Sequence, residues 1–194
     1  MHPRLLQSRD GGYGEFYYCF ISSNPSHLRR KKMIISKKMN DAINEEIGLE
    51  LFASNQYISI ASYFDDMALK LLANLFYKQS DEERAHAMKF VKYLNDAGGP
   101  VEIPAIKKPK SDFKGPEEAI NLALDWELDV TAHINNLMSL AIEEKDYASQ
   151  DLLRWFVTEQ VEEVSTMENL MKVVKMTGDK NVIMVEAYLV HQSS

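Results

Sequence analysis

The chain has 194 residues, 45% of them apolar, and a formal net charge of −7, which suits one domain able to bury a sizeable core without staples. Cys19 is the only cysteine, so an intramolecular disulfide, a four-cysteine metal site and a cysteine-ligated iron–sulfur cluster are excluded. Six basic residues stand against two acids in residues 1 to 32, a local +4 that leaves −11 for residues 33 to 194, too acidic a body for a nucleic-acid binder and suited to cations as partners.

Residues 1 to 32 show no helical period, hold Gly11, Gly12, Gly14, Pro3 and Pro25, and end in Arg29, Arg30, Lys31 and Lys32 before Met33. They read as a disordered or non-native extension reaching to about residue 35, from translation starting upstream of Met33, with a targeting peptide as the weaker alternative. No segment approaches the roughly 20 apolar residues of a membrane span, and the run Phe16 to Ile21 is too short for a signal-peptide core. A soluble, cytoplasmic protein with no membrane partner is expected.

From Ser36, a plausible N-cap, the chain reads as long amphipathic helices of one domain over 36–194. Helix one carries Ile43, Ile47, Glu50, Ser54, Tyr57, Ala61 and Phe64 on one stripe. Helix two, Met67 to Ala97, carries Leu72, Phe76, Gln79, Glu83, His86, Phe90 and Leu94 and stops at Gly98, Gly99 and Pro100. Residues 98–115, with Pro100, Pro104 and Pro109, have no helical period but are long enough, at ~3.3 Å per residue, to run the length of a helix. Helix three, Pro116 to Glu144, turns Ile120, Leu124, Glu127, Val130, Ile134 and Leu137 inward. Helix four, Tyr147 to Thr177, turns Leu153, Phe156, Gln160, Glu163, Met167 and Leu170 inward. A short helix from Asn181 to His191 is apolar on nearly every side and must be covered, which calls for oligomerisation. The short links between helices one and two, and three and four, make each pair an antiparallel hairpin. The fold class is therefore all-α, a four-helix bundle with one long crossover and a short fifth helix.

Each of the four apolar stripes is interrupted by acid or imidazole: Glu50, then Glu83 with His86, then Glu127, then Gln160 with Glu163. Each of the four glutamates lies about 11 to 16 residues into its helix, so at ~1.5 Å per residue they share one layer. No Lys or Arg shares those stripes, and buried carboxylates without a counter-charge cost several kcal/mol. Glu83 and His86, three apart, can reach one ion from a single helix face. Carboxylates with one imidazole suit iron or manganese, and Glu83 is placed to bridge two ions about 3.5 to 4 Å apart. The competing reading is a buried polar network that only fixes helix register. His2, His27, His133 and His191 lie off the ligand face or in terminal regions, and Trp126 and Trp155 read as packing.

At these positions the sequence resembles the non-haem bacterial and archaeal ferritins. The likeness rests on Asn-Glu-Glu-Ile-Gly-Leu-Glu50-Leu with Tyr57, Asp-Glu82-Glu83-Arg-Ala-His86, Trp-Glu127 and Glu159-Gln160-Val-Glu162-Glu163, and covers residues 36 to 191. It implies a ferroxidase in which Glu50, Glu83 and His86 hold a first iron, Glu83, Glu127, Gln160 and Glu163 serve a second, and Tyr57 donates a hydrogen bond or an electron. It implies a third iron site at Glu82, Glu159 and Glu162, with dioxygen or hydrogen peroxide as oxidant. It further implies storage of ferric oxyhydroxide in a hollow homo-oligomeric shell of 24 subunits, whose fourfold axes the fifth helix lines. Gln160 and Glu163 stand where bacterioferritins and rubrerythrins carry a second Glu-x-x-His, which makes the site asymmetric. No residue matches the haem-ligating Met of bacterioferritin, so no haem is expected. A diiron oxidase that does not store iron and a non-catalytic metal-binding shell subunit are the alternatives.

Overall fold

A computed structural model describes residues 32–192. Its element order is α1 (Lys37–Asp66), α2 (Lys70–Ala97), α3 (Pro116–Glu143), α4 (Tyr147–Thr177), a short 3-10 turn (Asp179–Asn181) and α5 (Ile183–Gln192). The described residues form a four-helix bundle with a long crossover and a short fifth helix; none of these helices is long and apolar enough to cross a membrane. The expected extension over residues 1–35 lies almost wholly outside the described residues. Ahead of α1, the Ile34 amide donates to the Ala97 carbonyl at 3.0 Å and Ile35 is buried, so the folded unit takes in residues before Ser36.

Ser36 caps α1, accepting the Met39 amide at 2.9 Å. Helix two starts at Lys70 and not at Met67. Ala68 sits at φ 60° in the hairpin turn, a left-handed conformation no glycine announces, and this breaks the helix between Asp66 and Lys70. Lys145, at φ 55°, makes the matching turn between α3 and α4. Gly98 ends α2 in the left-handed conformation that favours glycine.

The crossover runs parallel to α1 and is pinned to it along most of its length. Asn44 donates to the Pro100 carbonyl at 3.0 Å and accepts the Glu102 amide at 2.8 Å. Further along, Gln56 both donates to and accepts from the Lys110 backbone at 2.8 Å, and Ser59 donates to the same carbonyl. Between these clamps Pro104 presses on Gly48, where a Cβ would collide with the proline ring. A polar row on the outer face of α1 thus carries the backbone of a segment with no secondary structure of its own.

The apolar core falls into two parts. One, toward α5, packs Tyr57, Phe64, Phe76, Ile120, Met167, Val174, Val182 and Val185; the other packs Met39, Ile43, Phe90, Leu94, Ile134, Leu153 and Phe156. Phe90 stacks on Phe156 with ring centroids 4.1 Å apart in the second part. The acid-bearing positions lie at the level between the two.

The segment after α4 ties the starts of two other helices. Asp179 accepts the Glu117 amide at 3.0 Å at the beginning of α3. Glu186, on α5, accepts the amides of Leu71 and Leu72 at 3.0 and 2.8 Å, supplying the cap that Leu69 cannot give α2. A 10-residue helix is too short to stand alone, so this contact and the burial of Val182 and Val185 hold it. In Glu186→Ala, hydrogen exchange at the Leu71 and Leu72 amides is expected to speed up and stability to fall by about 1–2 kcal/mol. Unchanged exchange at these amides would show that α5 is held by its valines alone.

Candidate metal centre

Four long helices each deliver one glutamate to the same layer, and the packing buries them. Glu50 is 0%, Glu83 1%, Glu127 1% and Glu163 7% exposed, and no lysine or arginine among the described residues is buried with them. Burial raises the carboxyls of Glu50, Glu83 and Glu127 well above the ordinary range, and their mutual repulsion adds to it. Glu163 is also raised, chiefly by burial.

Three sets of acid and imidazole side chains come close enough to share an ion: Glu50, Glu83 and His86; Glu83, Glu127 and Glu163; His86, Glu159 and Glu163. Glu83 belongs to the first two sets. His86 Nδ1 lies 3.3 Å from Glu83 and 3.8 Å from Glu50. Both oxygens of Glu50, one each of Glu83 and Glu127, and Nδ1 of His86 are buried with no hydrogen-bond partner. Groups of this kind are normally satisfied in a folded protein, and carboxylates with an imidazole are a donor set that divalent cations accept.

Around these groups lies a fixed frame. Tyr57, fully buried, donates its hydroxyl to Glu127, and burial pushes that phenol well up. Gln79 donates to Glu163 at 2.6 Å. Thr131 donates to the side-chain oxygen of Gln160 at 2.9 Å, leaving the Gln160 amide nitrogen without a partner. Gln160, expected to serve a second ion, therefore has its side-chain oxygen engaged by a hydroxyl.

Two of the three residues expected at a third site, Glu82 and Glu159, both raise the Glu163 carboxyl by their charge. Glu159 joins His86 and Glu163, whereas Glu82 pairs with Lys78 at 3.2 Å and Glu162 is exposed; neither joins a potential ion-holding set among the described residues.

Sequence reasoning passed over Glu46. One turn before Glu50 on the same stripe, it is 1% exposed with an unpartnered oxygen, and burial with the repulsion of Glu83 and Glu45 pushes it to about 8. Its signal was the four-residue spacing to Glu50, masked by the neighbouring acids of the run. Trp155 does more than pack generically, since it meets the His86 ring edge-on at 5.4 Å. Trp126 and His133 instead line an open cavity of about 1000 Å³ between α1 and the crossover, away from the acid layer.

Comparison with known proteins points the same way. A family model described as the ferritin-like domain matches residues 40–177. Ferritin BfrB of Mycolicibacterium smegmatis is 40% identical over 160 residues, covering 82% of this chain and 88% of the relative. The bacterial non-heme ferritin of Staphylococcus haemolyticus is 38% identical over 146 residues, covering 75% and 88%. Among solved structures, an open pore ferritin from the archaeon Archaeoglobus fulgidus superposes with a TM-score of 0.77 at 34% identity, covering 80% of this chain and 96% of that one. With its four-helix bundle, crossover and fifth helix, the chain belongs to the ferritin-like family.

Proposed function

We propose that the protein is an iron-storage ferritin that oxidises Fe(II) at a two-ion centre inside each subunit. The observation that carries this reading is the pair of carboxylate sets sharing Glu83, buried between two apolar cores without a cation to balance them. Glu50, Glu83 and His86 take the first Fe(II); Glu83, Glu127, Gln160 and Glu163 take the second. Each ion gives up one electron, and the pair passes to dioxygen or hydrogen peroxide. Tyr57, already hydrogen-bonded to Glu127, is placed to donate a hydrogen bond or an electron to that side of the centre.

The ion set lacks a second histidine, and its side-chain frame engages Gln160 and Glu163 through Thr131 and Gln79. On this reading the second position, which has no imidazole, makes the centre asymmetric and does not keep its ion as a permanent cofactor, and the oxidised iron passes on to a ferric oxyhydroxide mineral in the cavity of a shell, which we take to have 24 subunits. The exposed Ile183, Met184 and Val190 of α5 supply an apolar face for neighbouring subunits about its fourfold axes. A third iron site at Glu82, Glu159 and Glu162, a cytoplasmic location and the absence of haem belong to the same proposal.

The decisive experiment loads the metal-free protein with Fe(II) anaerobically at rising ratios and then admits air, following ferric absorbance and iron remaining in solution. Storage predicts fast oxidation and soluble iron climbing to hundreds per shell. Uptake that stops near two or three per subunit would make the protein a diiron oxidase, and binding without oxidation would make it a non-catalytic shell subunit.

A further inference from the structure

His86 meets acids on both edges of its ring. Nδ1 faces Glu83 and Glu50, while Nε2 lies 3.9 Å from Oε1 of Glu159. A neutral imidazole has one proton and one free lone pair, so only one nitrogen can be offered to a cation. Nδ1 faces the two buried carboxylates of the first position, and the proton then belongs on Nε2. Among the described residues, Glu159 is the one carboxylate within ion-pair range of that nitrogen.

The rest of the surroundings fit this arrangement. Trp155 and Phe156 both meet the imidazole edge-on, at 5.4 and 5.7 Å, and fix its plane. Trp155 and Glu159 are one helical turn apart, so a single face of α4 provides both the ring wall and the acceptor. On the outer side the Lys89 ammonium lies 2.8 Å from the centroid of the Trp155 ring, where desolvation lowers its pKa against the attraction of Glu159 and Glu50. Glu159 itself keeps 31% of its side chain exposed, unlike the buried acids of the inner layer.

We infer that Glu159 is the positioning residue of the first metal position: its carboxylate, 3.9 Å from Nε2 and so beyond direct hydrogen-bond reach, attracts the Nε2 proton of His86 through its charge or one bridging water and so holds the Nδ1 lone pair toward Glu50 and Glu83. The inference rests on the reading of Glu50, Glu83 and His86 as the first position. It differs from a role for Glu159 as a ligand of a third ion only, because a carboxylate behind the imidazole raises the affinity of the first ion. Outer partners of this kind are worth about tenfold to a hundredfold in metal affinity.

The test titrates the metal-free full-length protein with Co(II) anaerobically, reading affinity and the d–d absorption of the first ion bound, in wild type, Glu159→Ala, Glu159→Gln and His86→Ala. Glu159→Ala is expected to weaken the first Co(II) by about tenfold to a hundredfold and to move its spectrum toward that of His86→Ala. Glu159→Gln keeps an oxygen that a bridging water can reach, without the charge, and recovers part of the loss; a merely structural effect would not follow that order. If both Glu159 variants lose only a later, weaker ion while the first keeps its affinity and spectrum, the inference is overturned and Glu159 is a third-ion ligand alone. If His86→Ala binds the first Co(II) as wild type does, the first-position reading itself fails, and the inference falls with it.

Discussion

In the double variant Glu50→Ala/His86→Ala, rapid Fe(II) oxidation disappears while the shell still assembles. The two residues supply two of the three side chains in the first ion-holding set, and both are buried with unpartnered donor atoms. Even partners one step removed from a metal are worth about 10- to 100-fold, so loss of two direct ligands is expected to slow the initial ferric absorbance by more than about 100-fold. On the proposed reading assembly uses other surfaces: the exposed apolar side chains of α5 and the outer faces of the long helices. Removing Glu50 also removes a fully buried carboxyl that no cation in the fold offsets, so the metal-free variant is expected to melt no lower than wild type except for the cavity left behind. Stopped-flow oxidation together with size-exclusion chromatography checks both halves. A variant that loses the shell along with the activity would mean that the acid layer is structural.

A metal-free sample melts at progressively lower temperature as pH rises from about 5 to 8, and a divalent cation restores the loss. Glu50, Glu83 and Glu127 titrate well above their ordinary value in the fold, and Glu46 near 8, whereas all four titrate near 4.5 once the chain unfolds. Below about 4.5 both states hold these protons and the full stability is present. Between that pH and the folded values, the unfolded chain has released protons that the folded one retains, so stability falls as pH rises. Each retained proton costs about 1.4 kcal/mol per pH unit. A bound cation reverses the sign of the electrostatics, because it favours the ionised carboxylates, and its binding near pH 7 should therefore release protons measurable in a weakly buffered solution. Calorimetry of the metal-free protein across this range decides the matter: melting temperatures that stay level or climb with pH would show that the layer is already ionised and balanced.

Most of this architecture could be read from residue spacing because a long helix repeats its signal many times. Seven turns or more of apolar stripe locate α1, α3 and α4 to within a residue or two, and the depth of the glutamates follows from helical rise alone. The hairpin turns were less legible. Ala68 and Lys145 adopt left-handed geometry imposed by the packing of the helices they join, so nothing local marks the restart of α2 at Lys70. The row Asn40, Asn44, Gln56 and Ser59 looks like a solvated face in sequence; only the path of the crossover shows that it binds backbone. The acid layer was legible because each acid interrupts an apolar stripe, and Glu46 was missed because its neighbour Glu45 makes the pair look like surface. Arrangement around His86 depends on side-chain directions across three helices, which spacing on any one helix cannot supply.

The fifth helix has two apolar sides with different duties. Val182 and Val185 turn into the subunit, Glu186 fastens the helix to the start of α2, and Ile183, Met184 and Val190 remain outside. In chain order this helix follows all four long ones, so it can dock only in a chain whose four long helices have all been translated. On the proposed reading, the outward side chains are therefore offered to neighbouring subunits only by a chain translated through its last helix. A chain that stops before α5 lacks both this patch and the Glu186 cap on α2, so it is expected to be less stable and, on that reading, to be left out of the shell.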